Sequence, residues 1–171
     1  YNNIKYIPLG YMDKMLENNY KEIKLKSPKD RKFKWSFVGN IKQDRMQMII
    51  AMKKINESYV GKASAEEMKN IYRESIFVPN GRGNVVLDCF RLYEASICGA
   101  IPIVVGTLQE YSITFSQEEN PPWLRYDSWE EVHNSCLELL KDMNKLETMS
   151  KKCFEWWNKR INNINNLILE N

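Results

Sequence analysis

The stretch that decides the fold is FVPNGRGNVVLDCFRLYEASICGAIPIVVG, residues 77–106. Two short apolar runs, at 75–78 and 101–105, enclose a loop with two glycines and a segment of helical apolar spacing. We predict a strand, a helix over about 86–98 that ends at Gly99, and a second strand. A strand-helix-strand unit of this length is typical of parallel sheets whose strands are covered on both faces.

The sequence on either side continues this alternation of strands and helices. KWSFV, residues 34–38, predicts a further strand, and apolar residues at helical spacing follow over about 42–56. A serine with glutamate three residues later marks helix starts at Ser64 and Ser128, because the two side chains can satisfy each other's backbone donors. Apolar periodicity over about 149–168 predicts a last helix. The expected fold class is α/β, with a mainly parallel, Rossmann-like sheet flanked by helices.

Length and composition favour one folded domain with an appendage. The chain has 171 residues, of which 43% are hydrophobic, and this is enough for one sizeable core. We divide it into a linker or tail of a preceding domain at 1–30, a Rossmann-like domain at 31–127, and C-terminal helices that pack on it at 128–171. Because the chain begins without methionine or a secretory signal, we expect a piece of a longer protein.

Charge and cysteine content argue against several kinds of protein. Lysine and arginine exceed aspartate and glutamate by only three, with both signs interleaved, so we expect no nucleic-acid partner. The four cysteines show no C-x-x-C spacing, and we interpret them as buried free thiols. No D-x-D pair occurs in the sequence, and we predict that no metal ion is required.

Three loops are expected at one edge of the predicted sheet. They are Gly39-Asn40 after the first strand, 79–84 after the middle strand, and Gly106-Thr107 after the last strand. Parallel strands present their carboxyl ends at the same edge, and ligands of such sheets bind outside those ends. The three loops therefore define the place where a site is expected.

The loop over residues 79–84 has the chemistry of an anion site. Gly81 and Gly83 permit positive φ and a close backbone approach, and Arg82 offers a planar fork of donors for phosphate oxygens. The N-terminus of the following helix also favours negative charge through its free N–H groups and its dipole. Loop, arginine and helix end together suit a pyrophosphate, and an ordinary polar loop is the alternative.

The predicted helix carries Asp88, Arg91 and Glu94 at intervals of three residues. This spacing forms an exposed stripe, with Phe90 and Tyr93 on the other side. A carboxylate there can accept hydrogen bonds from both ribose hydroxyls, and Arg91 can neutralise phosphate. The alternative is an ion pair on a solvated face. A sugar attached to the diphosphate would make it a leaving group, whose growing charge fixed donors stabilise, so glycosyl transfer is the expected chemistry.

The same residues resemble the C-terminal half of exostosin-like glycosyltransferases, a family with the GT-B architecture. The resemblance covers about 31–160. Its anchors, in the order of the family, are Phe37-Val38-Gly39-Asn40, Arg45, Phe77, Pro79, Gly81, Arg82, Phe90-Arg91, Glu94-Ala95, Gly99 and Ile101-Pro102-Ile103. The sequence departs from the family at Asn80, where many members have arginine, and at 85–87, which are more apolar than expected.

This resemblance implies two Rossmann-like domains that face a cleft, with residues 31–127 as the domain that binds the nucleotide-sugar, usually a UDP-sugar. It further implies that Glu94 binds the ribose, that Arg91 and Arg82 bind the diphosphate, and that Gly39-Asn40 lies close to the phosphates or the sugar. The complete set of expected donor-binding residues is Gly39, Asn40, Arg45, Asn80, Gly81, Arg82, Gly83, Asp88, Arg91 and Glu94.

The reaction implied by the resemblance is transfer of the sugar to a hydroxyl of a glycan acceptor, with inversion. The general base would come from an N-terminal domain or a partner chain, so no catalytic residue is assigned, and no cofactor is expected besides the donor. Two alternatives stay open. One is a non-catalytic nucleotide-sugar-binding or assembly module. The other is a fucosyltransferase-like GT-B enzyme that uses GDP-fucose. Localisation is left open between the Golgi lumen and the cytoplasm.

The remaining residues with relevant chemistry receive mainly structural interpretations. His133, the single histidine, falls in a predicted helix and is assigned a structural or surface role. Glu110 is a candidate at the border of the donor sugar, with an acidic surface loop as the alternative. Tryptophans on helical segments are assigned to packing rather than to sugar stacking, and these are Trp129, Trp156 and Trp157.

Overall fold

A computed structural model describes residues 10–11, 15, 24–83, 86–116 and 120–169, which contain five strands and six α-helices. The strands are β1 Phe33–Val38, β2 Ser58–Gly61, β3 Ser75–Asn80, β4 Ile101–Val105 and β5 Leu124–Tyr126. The helices are α1 Gln43–Met52, α2 Ala65–Arg73, α3 Phe90–Ile97, α4 Leu108–Thr114, α5 Trp129–Leu139 and α6 Met143–Leu169. A short 3₁₀ helix, Pro28–Asp30, precedes β1.

The five strands form one parallel sheet in the order β2-β1-β3-β4-β5. Trp35 of β1 pairs with Ser58 of β2 on one side and with Phe77 of β3 on the other. The direction of winding therefore reverses between β1 and β3, as in the flavodoxin-like order of doubly wound sheets. The predicted α/β class, with a parallel Rossmann-like sheet flanked by helices, is confirmed.

Helices cover both faces of the sheet because successive side chains of a strand alternate between the faces. Trp35 and Phe77 pack in one core with α1 and α5. Val38 and Val78 pack in a second core with α2 and α3. Every residue of β3 is buried, as expected for the middle strand of a sheet that is covered on both faces.

A third core, made largely of aromatic rings, joins α3 to α6. The ring of Tyr93 lies 5.6 Å from the rings of both Trp123 and Trp157. Trp123 also donates a hydrogen bond from Nε1 to Ser96 Oγ at 3.0 Å. Trp157 is 1% exposed, and Trp156 packs against the same core. The packing role predicted for these two tryptophans is confirmed.

A buried arginine closes the amino-terminal edge of the sheet. Arg31 is 4% exposed, and its Nη1 donates to the carbonyl oxygens of Ser75 at 2.7 Å and Gly99 at 2.9 Å. Its Nη2 donates to Ser150 Oγ at 2.8 Å, and Nε and Nη2 both donate to the carbonyl of Lys26. Burial lowers the pKa of Arg31 to about 10, so the group stays charged at neutral pH. One guanidinium thus holds the segment before β1, the start of β3, the end of α3 and α6 together.

The helix predicted over 86–98 begins later in the structure, at Phe90. A hydrogen bond from Asn80 Nδ2 to the carbonyl of Leu87 at 3.2 Å ties Leu87 to the end of β3, outside the helix. Asp88 therefore precedes α3 instead of lying in its first turn. Its predicted position on a helical stripe is wrong.

Short elements near both edges of the sheet were not predicted. They are β2, α4 and β5. Because β5 follows α4, Gly106-Thr107 comes after the fourth strand and not after the last. Predictions for residues 84–85 and for most of the 1–30 linker fall outside the described residues.

Local signals at helix ends are largely confirmed. Ser64 and Glu67 form the predicted reciprocal capping box at the start of α2. Ser128 Oγ accepts a hydrogen bond from the N–H of Glu131, whose carboxylate instead accepts one from the N–H of Asp127. Gly99 ends α3 with φ of 67°. None of the helices in the described part of the chain combines the length and apolar character that a membrane span requires.

Replacement of Arg31 by methionine should lower the free energy of unfolding by about 3 kcal/mol, because it leaves buried carbonyl groups without donors. The measurement is the midpoint and slope of urea unfolding. Lys29→Met, at an exposed position two residues away, is the matched control and should unfold as the wild type does. Equal midpoints for Arg31→Met and the control would contradict the role given to Arg31.

Candidate functional site

Two cavities open at the carboxyl ends of the strands. The first cavity, of about 460 Å³, lies between the end of β1, the start of α2 and the start of α3. Its lining includes Gly39, Asn40, Arg45, Lys62, Arg91 and Glu94. The second cavity, of about 390 Å³, lies at the ends of β3 and β4 beside the starts of α4 and α5. Its lining includes Gln47, Asn80, Arg82, Glu110, Asp127 and Trp129.

The first cavity is strongly cationic. Lys42, Arg45, Lys62 and Arg91 line it together with one carboxylate, that of Glu94, which gives a formal net charge of +3. The start of α3 opens into the same space, and its first turn contains no acidic residue to offset the helix dipole. Positive side chains and a helix N-terminus together favour an anionic ligand.

Arg91 is fixed at the end of β1. Its Nε donates to the carbonyl of Val38 at 3.0 Å, and its Nη1 donates to Cys89 Sγ at 2.9 Å. The guanidinium also lies over the ring of Phe37, 4.9 Å from its centroid. These contacts hold the side chain beside Gly39, whose added Cβ would lie 2.8 Å from Arg91 Nη2. Gly39 also has φ of 145°, so only glycine suits this position.

Arg45 fills the crevice between the loops that follow β1 and β3. It is 8% exposed, and its Nη1 donates to the carbonyl of Asn40 at 2.8 Å. Its Nη2 makes a longer contact, 3.4 Å, to the carbonyl of Arg82. A Cβ added to Gly81 would lie 2.6 Å from Arg45 Cγ, so the glycine makes room for this side chain. Arg45 thus occupies the point where the sheet reverses its winding, between the two cavities.

The charges of the second cavity are paired. Arg82 forms an ion pair with Glu110, and both side chains are partly exposed. Asp127 accepts two hydrogen bonds from Arg125, at 2.7 Å from Nη1 and 3.1 Å from Nη2. Each carboxylate of the lining is thus matched by an arginine, so the second cavity is close to neutral. The two neighbouring cavities therefore differ in electrostatic character, because the first is cationic and the second is close to neutral.

The structure divides the expected donor-binding residues between the two cavities. Those that line the first cavity are Gly39, Asn40, Arg45, Arg91 and Glu94. Those that line the second cavity are Asn80, Gly81 and Arg82. Gly83 and Asp88 line neither of them. The structure thus brings Arg91 and Glu94 together, and it places Arg82 on the other side of Arg45.

Two expectations about the glycine loop and its helix are wrong. Among the described glycines, Gly10, Gly39 and Gly99 have positive φ, whereas the glycines of the loop after β3, Gly81 and Gly83, do not. A Cβ on Gly83 would lie 2.4 Å from the carbonyl oxygen of Asp88, so this glycine serves a close approach of the chain to itself. The expected exposed stripe is also absent, because Glu94 is 1% exposed whereas Phe90 is 42% exposed.

Several residues of the site were not singled out from the sequence. Lys62 follows the unpredicted strand β2, and its position two residues before the capping box of α2 is the local sign of its place. Cys89 precedes α3 and lines the first cavity, where its thiol contacts Arg91. Gln47 faces the second cavity from α1. Their positions depend on how the loops converge, which sequence spacing does not show.

The described residues contain no group of three or more side chains that could together hold a metal ion. The requirement for a metal ion is not tested by this observation, and metal independence stays a prediction. No protein-family model matches the chain, and no curated protein matches it either. The resemblance to exostosin-like glycosyltransferases likewise stays a prediction from the residues quoted above.

Gly39→Ala should lower the free energy of unfolding by about 1–3 kcal/mol, because φ is unfavourable for alanine and the new methyl group displaces Arg91. Gly61→Ala is the matched control. The φ of Gly61 is ordinary, and the nearest atom to an added Cβ would be the hydroxyl oxygen of Tyr59, at 3.2 Å. Chemical unfolding of both variants measures the difference. A Gly39→Ala protein as stable as the control would exclude the strained turn.

Iodoacetamide at pH 8 should alkylate Cys89 in the folded protein and leave the other three cysteines unmodified. Burial raises the pKa of Cys98, Cys136 and Cys153 to about 12, so they are protonated as well as inaccessible, whereas Cys89 is partly exposed. Peptide mapping by mass spectrometry gives the sites, and unfolded protein is the control for all four. Equal labelling of the buried thiols in folded protein would refute the burial pattern.

Proposed function

We propose that the chain is the donor-binding half of a glycosyltransferase, which transfers a sugar from a UDP-sugar to a hydroxyl of a glycan acceptor with inversion. The observation that carries the proposal is the convergence of four cationic side chains and the start of α3 on one cavity at the carboxyl end of β1. This cavity lies beside the point where the winding of the sheet reverses, which is the usual ligand position in doubly wound folds.

A diphosphate matches the charge and the donors of the first cavity. The hydrogen bonds described for Arg91 use Nε and Nη1, and its Nη2 lies beside Gly39 at the cavity wall. Lys42 and Lys62 approach from exposed positions, so their ammonium groups can adjust to a bound phosphate. Fixed guanidinium donors and mobile ammonium groups would then neutralise the diphosphate together.

The carboxylate of Glu94 supports a nucleoside attached to that diphosphate. Glu94 follows Arg91 by three residues on α3, so the two side chains project from neighbouring positions of the same helix into the first cavity. A carboxylate in this position can accept hydrogen bonds from two adjacent ribose hydroxyls. The cationic groups beside it would bind the phosphates.

The same arrangement would assist the chemical step. When the bond between the sugar and the diphosphate breaks, negative charge grows on the phosphate oxygen, and donors already fixed in place stabilise it without reorganisation. The general base and most acceptor contacts are expected from a second domain or a partner chain. This chain is proposed to supply donor binding and stabilisation of the leaving group.

UDP should raise the melting temperature of the chain, because a ligand that binds only the folded state adds about 2.7 kcal/mol of stability at 100 times its Kd. Lys62→Ala and Glu94→Gln should both reduce the shift, through lost phosphate and ribose contacts. Lys53→Ala, which removes an exposed charge beyond the end of α1, is the control and should leave the shift intact. UDP should also slow alkylation of Cys89, which locates the ligand in the first cavity.

Absence of a shift with millimolar UDP, GDP and their sugar conjugates would exclude the proposal. A response to GDP-fucose alone would favour a fucosyltransferase-like enzyme instead. Product formation or donor hydrolysis, measured with the longest available form of the protein and a panel of glycan acceptors, would separate an enzyme from a non-catalytic binding module.

A further inference from the structure

The second cavity is built for a different chemistry from that of the first cavity. Its two carboxylates, Glu110 and Asp127, are paired with Arg82 and Arg125, so both arginines already have an anionic partner and the cavity has little attraction for a phosphate. A volume of about 390 Å³ nevertheless falls in the range of sites for small ligands. An uncharged polar group is the ligand that this charge balance accepts.

The acceptors of the second cavity are held in place by protein contacts. Arg125 binds both oxygens of Asp127, and its Nη1 also donates to the carbonyl of Gly106 at 2.7 Å. Arg82 Nη2 contacts one oxygen of Glu110 and so orients the second carboxylate. Carboxylates fixed by arginine accept hydrogen bonds from hydroxyl groups with little loss of side-chain entropy on binding.

Donors and an apolar surface complete the lining. The hydroxyl groups of Thr107 and Ser128 each accept a helix-cap hydrogen bond, so each can still donate its own hydrogen to a ligand. The amide of Gln47, which is exposed, offers one donor group and one acceptor group. Trp129 adds a flat aromatic side chain on which the C–H face of a ring can pack. Alternating donors, acceptors and one aromatic plane match a polyhydroxylated ring.

The side chain of Arg45 contacts residues of both cavities. Arg45 lines the first cavity, contacts the backbone of Arg82 in the second cavity, and packs on Gly81. A ligand with an anionic part and a neutral part can therefore extend across Arg45 and meet a suitable environment on each side.

We infer that the second cavity binds an uncharged saccharide ring, joined to the diphosphate that occupies the first cavity. This inference rests on the proposed function, and it adds the place and the residues of sugar recognition: Gln47, Glu110, Asp127 and Trp129. It also gives Arg82 a new role, because Arg82 orients Glu110 in the sugar site instead of binding the diphosphate.

The test compares the affinities of UDP and of a UDP-hexose by isothermal titration calorimetry, with UDP-glucose, UDP-galactose and UDP-N-acetylglucosamine as probes. The informative quantity is the Kd of UDP divided by the Kd of the UDP-hexose, because this ratio isolates the contribution of the sugar. In the wild type, at least one UDP-hexose should bind more tightly than UDP. Asp127→Asn should reduce the ratio about tenfold, through loss of a charge-assisted hydrogen bond, and leave the affinity for UDP unchanged.

Gln47→Ala is the second variant, and it should reduce the ratio to a smaller extent. Both positions are exposed, so both substitutions preserve the fold, and circular dichroism checks this. Lys62→Ala is the reciprocal variant. Of the two cavities, Lys62 lines only the first, so its replacement should weaken the binding of UDP and of UDP-hexose equally. Lys53→Ala should change neither affinity.

Each outcome decides the inference. If no UDP-hexose binds the wild type more tightly than UDP, or if both second-cavity variants leave the ratio unchanged, the sugar site is overturned while the binding of UDP still supports the proposed function. Equal weakening of UDP and UDP-hexose by Asp127→Asn overturns it as well. Failure of UDP itself to bind overturns the proposed function and the sugar site together.

Discussion

The arrangement of both candidate cavities depends on the pairing of β1 with β3. The two strands are adjacent in the sheet although β2 and α2 lie between them in the chain, and their loops therefore emerge side by side. Two buried arginines bracket the pair. Arg31 binds the start of β3, whereas Arg45 joins the loops beyond the carboxyl ends. A buried guanidinium requires several acceptors, and backbone carbonyls at the strand ends supply them in both places.

The candidate site contains two electrostatic environments, one in each cavity. Lysines and arginines dominate one side of Arg45, and paired carboxylates dominate the other. The separation has a simple origin in the topology, since the first cavity is built on the side of β2 and α2, and the second on the side of β4 and β5. A doubly wound sheet thus offers two different walls at the point where its winding reverses.

The sequence predicts the parts of the molecule that carry strong local signals. The strands β1, β3 and β4 have continuous apolar runs, and α2 and α5 have serine caps, so their positions were predictable. By contrast, β2 and β5 are short and only partly buried, so they lack the continuous apolar pattern of a central strand. The orientation of α3 was also not predictable. Which of its side chains face the core depends on where the helix starts, and local sequence does not show this. A charged residue such as Glu94 is expected on the surface from its charge alone, so its burial beside Arg91 is an effect of tertiary packing.

The contacts of Arg31 have a consequence for the synthesis of the protein. Ser150, one of its partners, lies 119 residues further along the chain. A nascent polypeptide cannot complete this edge of the sheet until α6 has left the ribosome, and contacts of such sequence separation are slow to form. The strands of the sheet therefore leave the ribosome before the contact between Arg31 and Ser150 can form, and synthesis of α6 is the step that completes the partners of this arginine.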